Sequence, residues 1–294
     1  MTVWQQMEEI DNRPAADAPR KPGWIWWEEG KRWDLRRIPY LSRVRNQALE
    51  PLLQLDPQRY EKVLWLNDVV FDTQDLVTLL ATNKGDYAAA CSMDFKNPPF
   101  YYDTFALRDD TGYKSTSLYW PWFQSGKARR AVWRSEPVRV KSCWNGIVVF
   151  DAEPFYGQQT RTGGKPEPLI FRGIPDSLAD MHLEGSECCL IHADNHLSAS
   201  KGVWLNPNVR VGYSAEAYRA VRNDVFPTAM ESMKGTWINR LLHFRMRIQE
   251  GLEGSTVRKR IRQWQKKTPA GELRREEPGD FCLINEMQIM YQNG

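Results

Sequence analysis

The sequence predicts an α/β fold, and three observations carry that reading. Val63-Leu64-Trp65-Leu66 is an apolar run of strand length. Leu76, Val77, Leu79 and Leu80 recur at helical spacing, and Tyr87 to Cys91 is a second apolar run. Strand, helix and strand in succession form the repeating unit of an α/β sheet. The chain has 294 residues, enough for one large domain or two ordinary ones.

Along the chain, residues 1–36 read as irregular, because Pro14, Pro19, Pro22, Gly23 and Gly30 break any period. Leu41, Val44, Ala48 and Leu52 then give a helix, with Pro51 closing or kinking its end. The strand at 63–66 stops at Asn67-Asp68 and resumes as Val69-Val70-Phe71. Thr73 is the expected cap of the next helix, with Asp75 favourable in its first turn. Gly85 ends that helix. From Asp94 to Trp133 the sequence is aromatic and polar with few periods, and long segments of that kind usually carry function. Val138–Val140 and Gly146–Phe150 read as strands flanking Cys143-Trp144-Asn145-Gly146. Residues 157–168 read as a polar, Gly-rich surface loop. Ser186 caps a helix bearing Cys188, Cys189, Leu190 and Ile191. Asn206-Pro207-Asn208 reads as a turn before Val209-Arg210-Val211. The region after Ser214 reads as helical, and Ser255 opens a basic helix with Arg258, Lys259, Arg260, Arg262, Lys266 and Lys267.

Composition excludes several classes. The apolar share is 41% and the net charge is +3, so collagen-like, coiled-coil and wholly disordered chains are out. That charge gives no argument for nucleic acid, and no such partner is expected. No apolar run reaches the ~18 residues of a membrane span, and no signal peptide is visible. Thirteen Trp, eleven Tyr and eleven Phe are many, and several rings sit beside polar residues. Rings in such settings suit sugar faces, while Trp equally fills irregular cores. Five unpaired-looking cysteines argue against a disulfide framework, with one bridge left open.

The familiar hydrolase, zincin, phosphate-loop and dinucleotide motifs are missing. Acidic residues at strand ends remain. Asn67-Asp68 puts an amide and a carboxylate where a strand leaves the sheet, and open α/β sheets bind ligands there. A carboxylate so placed can hold Mg²⁺ or Mn²⁺, and the bland alternative is a turn or bulge pair. Asp94 and Asp103 could hold sugar hydroxyls, and Asp109-Asp110-Thr111-Gly112 could be only a turn. Glu187, His192 and Asp194 form the densest ionisable cluster. Glu187 is also explained as a first-turn carboxylate, and His192 as a core histidine.

Six segments together resemble the fungal mannosyltransferases of the cryptococcal capsule type, glycosyltransferase family 69. They are Arg37-Ile38-Pro39-Tyr40-Leu41 with Arg45-Asn46 and Leu49-Glu50-Pro51-Leu52; Leu66-Asn67-Asp68-Val69-Val70-Phe71; Asp94-Phe95 with Tyr102-Asp103-Thr104-Phe105; Ser142-Cys143-Trp144-Asn145-Gly146-Ile147; Ser186-Glu187-Cys188-Cys189-Leu190-Ile191-His192-Ala193-Asp194; and Asn206-Pro207-Asn208-Val209-Arg210-Val211. The resemblance implies a GT-A-like, Rossmann-related nucleotide-sugar fold with a mixed sheet flanked by helices. It implies a transferase domain over 37–250, an irregular segment 1–36 before it and a basic helical extension 251–294. The resemblance implies a membrane anchor and a strand–helix–strand unit, which family members usually carry ahead of the Arg-Ile-Pro-Tyr-Leu region, and residues 1–36 do not read as either.

The activity so implied is retaining α-1,3 transfer of mannose from GDP-mannose to a mannose-containing glycan. The implied setting is the lumenal face of the Golgi or another secretory membrane, with the membrane reached only through a segment this chain does not show. Asp68 would hold Mn²⁺ or Mg²⁺ with His192 or Asp194 completing the shell. Asn67 and Asp94 would bind the donor, Trp144 and Asn145 would face the acceptor, and Glu187 and Asp103 would be the catalytic carboxylates. The rival expectation is a non-catalytic carbohydrate-binding or assembly protein on the same fold.

Overall fold

A computed structural model describes residues 11–54, 60–157, 167–223, 226–267 and 275–290. The loop expected at 157–168 lies mostly outside these described residues. The N-terminal segment is more regular than its Pro and Gly content suggests. Strands β1 (Trp24–Trp27) and β2 (Arg32–Leu35) pair antiparallel, with Gly30 in the connecting turn. Trp24 and Leu35 pack with Tyr40, and the Trp26 and Trp33 rings meet edge-on at 5.3 Å across the hairpin. Cross-strand ring pairs of this kind stabilise a hairpin that composition alone marks as loop. Helix α1 (Arg37–Leu53) follows, with Pro51 in its last turn.

The strand–helix–strand unit forms as β3 (Lys62–Leu66), α2 (Thr73–Leu80) and β4 (Ala89–Asn97). Two details differ from expectation. Asp72 caps α2 in place of Thr73, accepting the Asp75 N–H while the Asp75 carboxylate accepts the Asp72 N–H. Residues 69–71 form no strand beyond a bridge from Val70 to Gly212. Then come β5 (Phe100–Tyr101), β6 (Arg108–Asp109), α3 (Gly126–Trp133), β7 (Val138–Ser142), β8 (Ile147–Asp151), β9 (Glu184–Gly185), α4 (Glu187–Asp194), β10 (Val203–Gly212), α5 (Ala215–Val221), α6 (Ala229–Lys266) and β11 (Leu283–Ile284).

The main sheet runs β3-β8-β4-β10-β7-β6, with β5 on β4. β4 and β10 are parallel and the other pairs antiparallel, so the sheet is mixed. β3 is an edge strand, half-buried, unlike the fully buried strand its apolar run suggests. β4 is central and buried on both faces, which accounts for a continuous apolar run. Its side chains alternate as the pleat requires: Ala89, Cys91 and Met93 join one core, Ala90 the core on the opposite face. The expected turn at 206–208 lies inside β10, as a register irregularity between Leu205 and Arg210.

The boundary expected at residue 250 falls inside α6, a single 38-residue helix capped by a Thr228–Glu231 box. The described C-terminal residues are no appendage. β11 pairs with β9, the Arg37 N–H donates to the Gln288 carbonyl, and the Met290 N–H to the Leu35 carbonyl. Two disulfides close the body where at most one was expected: Cys91–Cys143 and Cys189–Cys282, leaving Cys188 free and buried. Among the described residues no helix is long and apolar enough to cross a membrane.

Candidate active site

β3, β4 and β10 finish, and β8 begins, at one end of the sheet. A cavity of about 450 Å³ opens there, lined by Arg37 and Arg45 of α1, Asn67, Asp103, Trp144, Glu187 and Tyr213, among others. Four of the nine residues expected at a site therefore line it: Asn67, Asp103, Trp144 and Glu187.

Glu187 is delivered by a capped helix start. The Ser186 hydroxyl accepts the Cys188 N–H, which turns the chain into α4 and places Glu187 in its first turn. Glu187 is 2% exposed. Arg45 Nε–H donates to its Oε1 at 3.1 Å, and the Cys188 thiol to the same oxygen at 3.5 Å. No described residue bonds Oε2. Burial, then the charge of Glu187, pushes the Cys188 thiol well up, so it stays protonated.

Asp103 has a similar asymmetry. Its Oδ1 accepts the Phe105 and Ala106 N–H groups, at 3.0 and 3.3 Å, and no described residue bonds Oδ2. Burial raises its pKa, opposed by those backbone bonds. Asp94 sits behind it with both oxygens engaged. Oδ1 accepts the Asp103 N–H at 3.1 Å and Oδ2 the Tyr213 hydroxyl at 3.0 Å. Burial, then the Asp103 carboxylate, pushes Asp94 up to about 7. Burial and the Asp94 carboxylate together push the Tyr213 phenol above its ordinary value. Asp94 thus supports the cavity wall through Asp103 and Tyr213 and does not line the cavity.

Trp144 and Asn145 do less for a sugar than expected and more for the wall. The Trp144 ring is 3% exposed, packed among Trp65, Phe150 and Phe171, with the Arg45 guanidinium 4.4 Å from its centroid. Its Nε1–H donates to Asn67 Oδ1 at 3.2 Å. A ring held under an arginine is a core and cation–π residue, with no open face for stacking a pyranose. Asn145 is fully buried; its Nδ2 donates to the Asp103 carbonyl and its Oδ1 accepts the Trp144 N–H. Asn145 and Gly146 both take left-handed conformations, at φ 50° and 86°. A Cβ at Gly146 would come within 2.7 Å of Val211, so only glycine fits that turn.

The expected metal set is not brought together. Asp68 is exposed at the end of β3, outside the cavity lining. His192 is buried, with Nε2 2.7 Å from the Cys143 carbonyl and its ring stacked on Phe150. Burial pushes it down to about 4, so it is neutral at pH 7. Asp194 ion-pairs with Arg172 at 2.6 Å, and Arg172 also holds Glu277. Among the described residues the sole group of three metal-binding side chains is Cys91, Cys143 and His192, and its two cysteines are already bonded to each other. Asp68 is therefore the one expected ligand left free to meet an ion.

The decisive comparison is with the family described as cryptococcal mannosyltransferase 1, whose pattern matches residues 2–194 of this chain. The chain belongs to that family. No curated protein and no solved structure matches it. Mannosyl transfer, from a sugar donor to a glycan acceptor, is the family's chemistry, and the match covers every residue named above as lining the cavity except Tyr213.

Sequence reasoning missed three residues of this cavity. Arg37 and Arg45 were visible within the family-like motif, and helical spacing sets Arg37, Leu41 and Arg45 on one face. Nothing in the sequence joins that face to Glu187, which is 142 positions from Arg45. Tyr213 follows the end of β10, and its aim at Asp94 depends on the parallel β4–β10 pairing.

Proposed function

We propose that this chain transfers mannose from GDP-mannose to a mannose-containing glycan, with retention and an α-1,3 linkage, on a GT-A-like fold. One observation carries the reading: within a mannosyltransferase family, Asp103 and Glu187 each bring one unengaged carboxylate oxygen to a cavity that also holds Arg37 and Arg45. Glycosyl transfer builds positive charge on the sugar, and a fixed carboxylate opposes that charge best where water is excluded. Glu187 is the residue assigned that role, with Asp103 orienting the donor mannose. Arg37 and Arg45 supply positive charge for a diphosphate, which guanidinium groups bind in a planar fork. Asn67 is held by Trp144 at the rim, beside the donor.

Asp68, with Asn67 next to it, is the residue that would hold Mn²⁺ or Mg²⁺, the remaining ligands being diphosphate and water oxygens. Such an ion supplies Lewis-acid neutralisation of the departing diphosphate. His192 and Asp194 do not fit that shell. Two disulfides in one chain support an oxidising compartment, as the lumen of the secretory pathway is. One observation favours the non-catalytic, carbohydrate-binding alternative: neither His192 nor Asp194 joins Asp68 as a ligand, the first being held by the Cys143 carbonyl and the second by Arg172.

Titration calorimetry with GDP separates the two. Binding by the wild type is expected to require Mn²⁺, and Asp68→Ala is expected to abolish it. Equal GDP affinity for both proteins, with and without Mn²⁺, contradicts the metal assignment. No GDP binding by the wild type under any condition favours the non-catalytic reading.

A further inference from the structure

Helix α6 presents an unusual outer face. Met230, Met233, Trp237, Leu241, Phe244, Ile248 and Leu252 follow one another at intervals of three and four and are all exposed. Leu241 is 77% exposed, Phe244 74% and Trp237 60%. At 100° per residue they form a single stripe, roughly 33 Å long at 1.5 Å per residue. The opposite face of the helix is fastened to the body. Asn239 Nδ2 donates to the Tyr119 and Trp120 carbonyls, and Glu250 accepts from the Lys114 N–H and Gln124 Nε2. A Cβ at Gly235 would strike the Trp120 carbonyl oxygen. The helix is therefore held in place with its apolar stripe outward, and the stripe is not a core surface awaiting closure by a swing of the helix.

Charge identifies what covers it. Between Ser232 and Gln249 the helix carries Lys234, Arg240, Arg245 and Arg247 and no Asp or Glu. All four are exposed, and none has an ion-pair partner among the described residues. Helical geometry puts Arg240 and Arg247 along one edge of the stripe, Lys234 and Arg245 along the other. Arg240 also lies 5.6 Å from the Trp237 ring centroid. A second copy docked through this stripe would bring eight such cations (four per chain) together, while the nearest carboxylates of the helix are already engaged, Glu231 in the Thr228 cap and Glu250 and Glu253 with Lys114 and Gln124. An apolar face with Trp and Phe, edged on both sides by cations, suits the boundary between headgroups and acyl chains. The positive edges match anionic headgroups.

We infer that the outer face of α6 is a membrane-surface site that lies on anionic lipid, with Trp237, Leu241 and Phe244 inserted and Lys234, Arg240, Arg245 and Arg247 at the headgroups. The inference uses none of the cavity residues, so its failure leaves the mannosyltransferase reading standing; it requires anionic headgroups in the leaflet that faces the disulfide-bonded chain.

The test is flotation of the full chain with vesicles of phosphatidylcholine alone or mixed with phosphatidylserine. The expected result is flotation with the mixed vesicles, weakening as salt rises, and little with the neutral ones. A double variant, Leu241→Glu with Phe244→Glu, is expected to lose flotation at least tenfold. Both positions are exposed, so its melting temperature should match the wild type. Arg240→Glu with Arg247→Glu is expected to lose it while keeping the apolar stripe. Three results overturn the inference: no flotation of the wild type with mixed vesicles, equal flotation with neutral ones, or unchanged flotation of the Leu241→Glu, Phe244→Glu variant. A wild-type dimer in sedimentation that the same variant dissolves also overturns it, assigning the stripe to a second copy.

Discussion

Two glutamates three residues apart, Glu184 and Glu187, each meet an arginine, and their surroundings differ. Glu184 is clamped by Arg36 through two parallel bonds, Nε to Oε2 at 3.1 Å and Nη2 to Oε1 at 2.8 Å. Arg36 also holds Asp176 and the Ile174 carbonyl, and both Arg36 and Glu184 are fully buried. Every strong position is taken, so the pair ties the hairpin end to β9. Glu187 meets Arg45 through a single oxygen and borders a cavity. A buried carboxylate with all its partners in place has no capacity left for a ligand, whereas one with an oxygen left over has.

The largest expected effect falls on the saturated pair. Arg36→Met should cost about 3–5 kcal/mol in denaturant unfolding, because Glu184 is left buried without its partner. Replacing Glu184 by Leu in the same chain should recover part of that loss. A single variant that melts like the wild type would break the distinction between the two pairs.

Next in size is a pH effect from the polar wall of the cavity. Asp94 is raised from 3.8 to about 7, so the folded chain holds its proton where the unfolded chain has lost it. The sign follows: this group's contribution favours the fold at low pH and is lost as pH rises through about 7. Between about pH 5 and about pH 8, wild type should lose about 2–3 kcal/mol relative to Asp94→Asn. Parallel stability profiles for the two proteins would contradict the raised value.

The smallest effect is expected at Asp194. Its pair with Arg172 is partly exposed and Glu277 shares the arginine, so Asp194→Asn should cost about 1 kcal/mol or less. Mn²⁺-dependent GDP binding should be unchanged in this variant. A loss of that binding would return Asp194 to the metal site.

Much of this was legible in the sequence where the signal is local. The unit from β3 to β4 forms where apolar runs and helical spacing put it, and Ser186 caps the helix that begins with Glu187. Long-range pairings were not legible. Cys91 meets Cys143 across 52 positions and Cys189 meets Cys282 across 93, with no spacing that marks either. Burial misled in two directions. Trp144 looked like a sugar platform and is a wall residue under Arg45, because ring type says nothing of which face stays open. The hairpin at 24–35 looked irregular because its strands are four residues long and Gly30 belongs to its turn. The expected boundary at residue 250 and helix start at Ser255 both fall inside α6, where the contacts of Glu250, Val257 and Trp264 with the body carry the helix through.

The central claim is that Glu187, unlike Glu184, acts on substrate. Glu187→Gln keeps the side chain's shape and removes its charge. A mannosyl-transfer assay with GDP-mannose, run beside an unfolding curve, tests the claim directly. The account predicts a fall in kcat of ~10²–10⁴-fold, with kcat/KM falling alongside and a stability loss of about 1–3 kcal/mol from the weakened Arg45 contact. A variant that keeps most of the wild-type kcat would show Glu187 to be a helix-start carboxylate paired with Arg45, and would contradict the account.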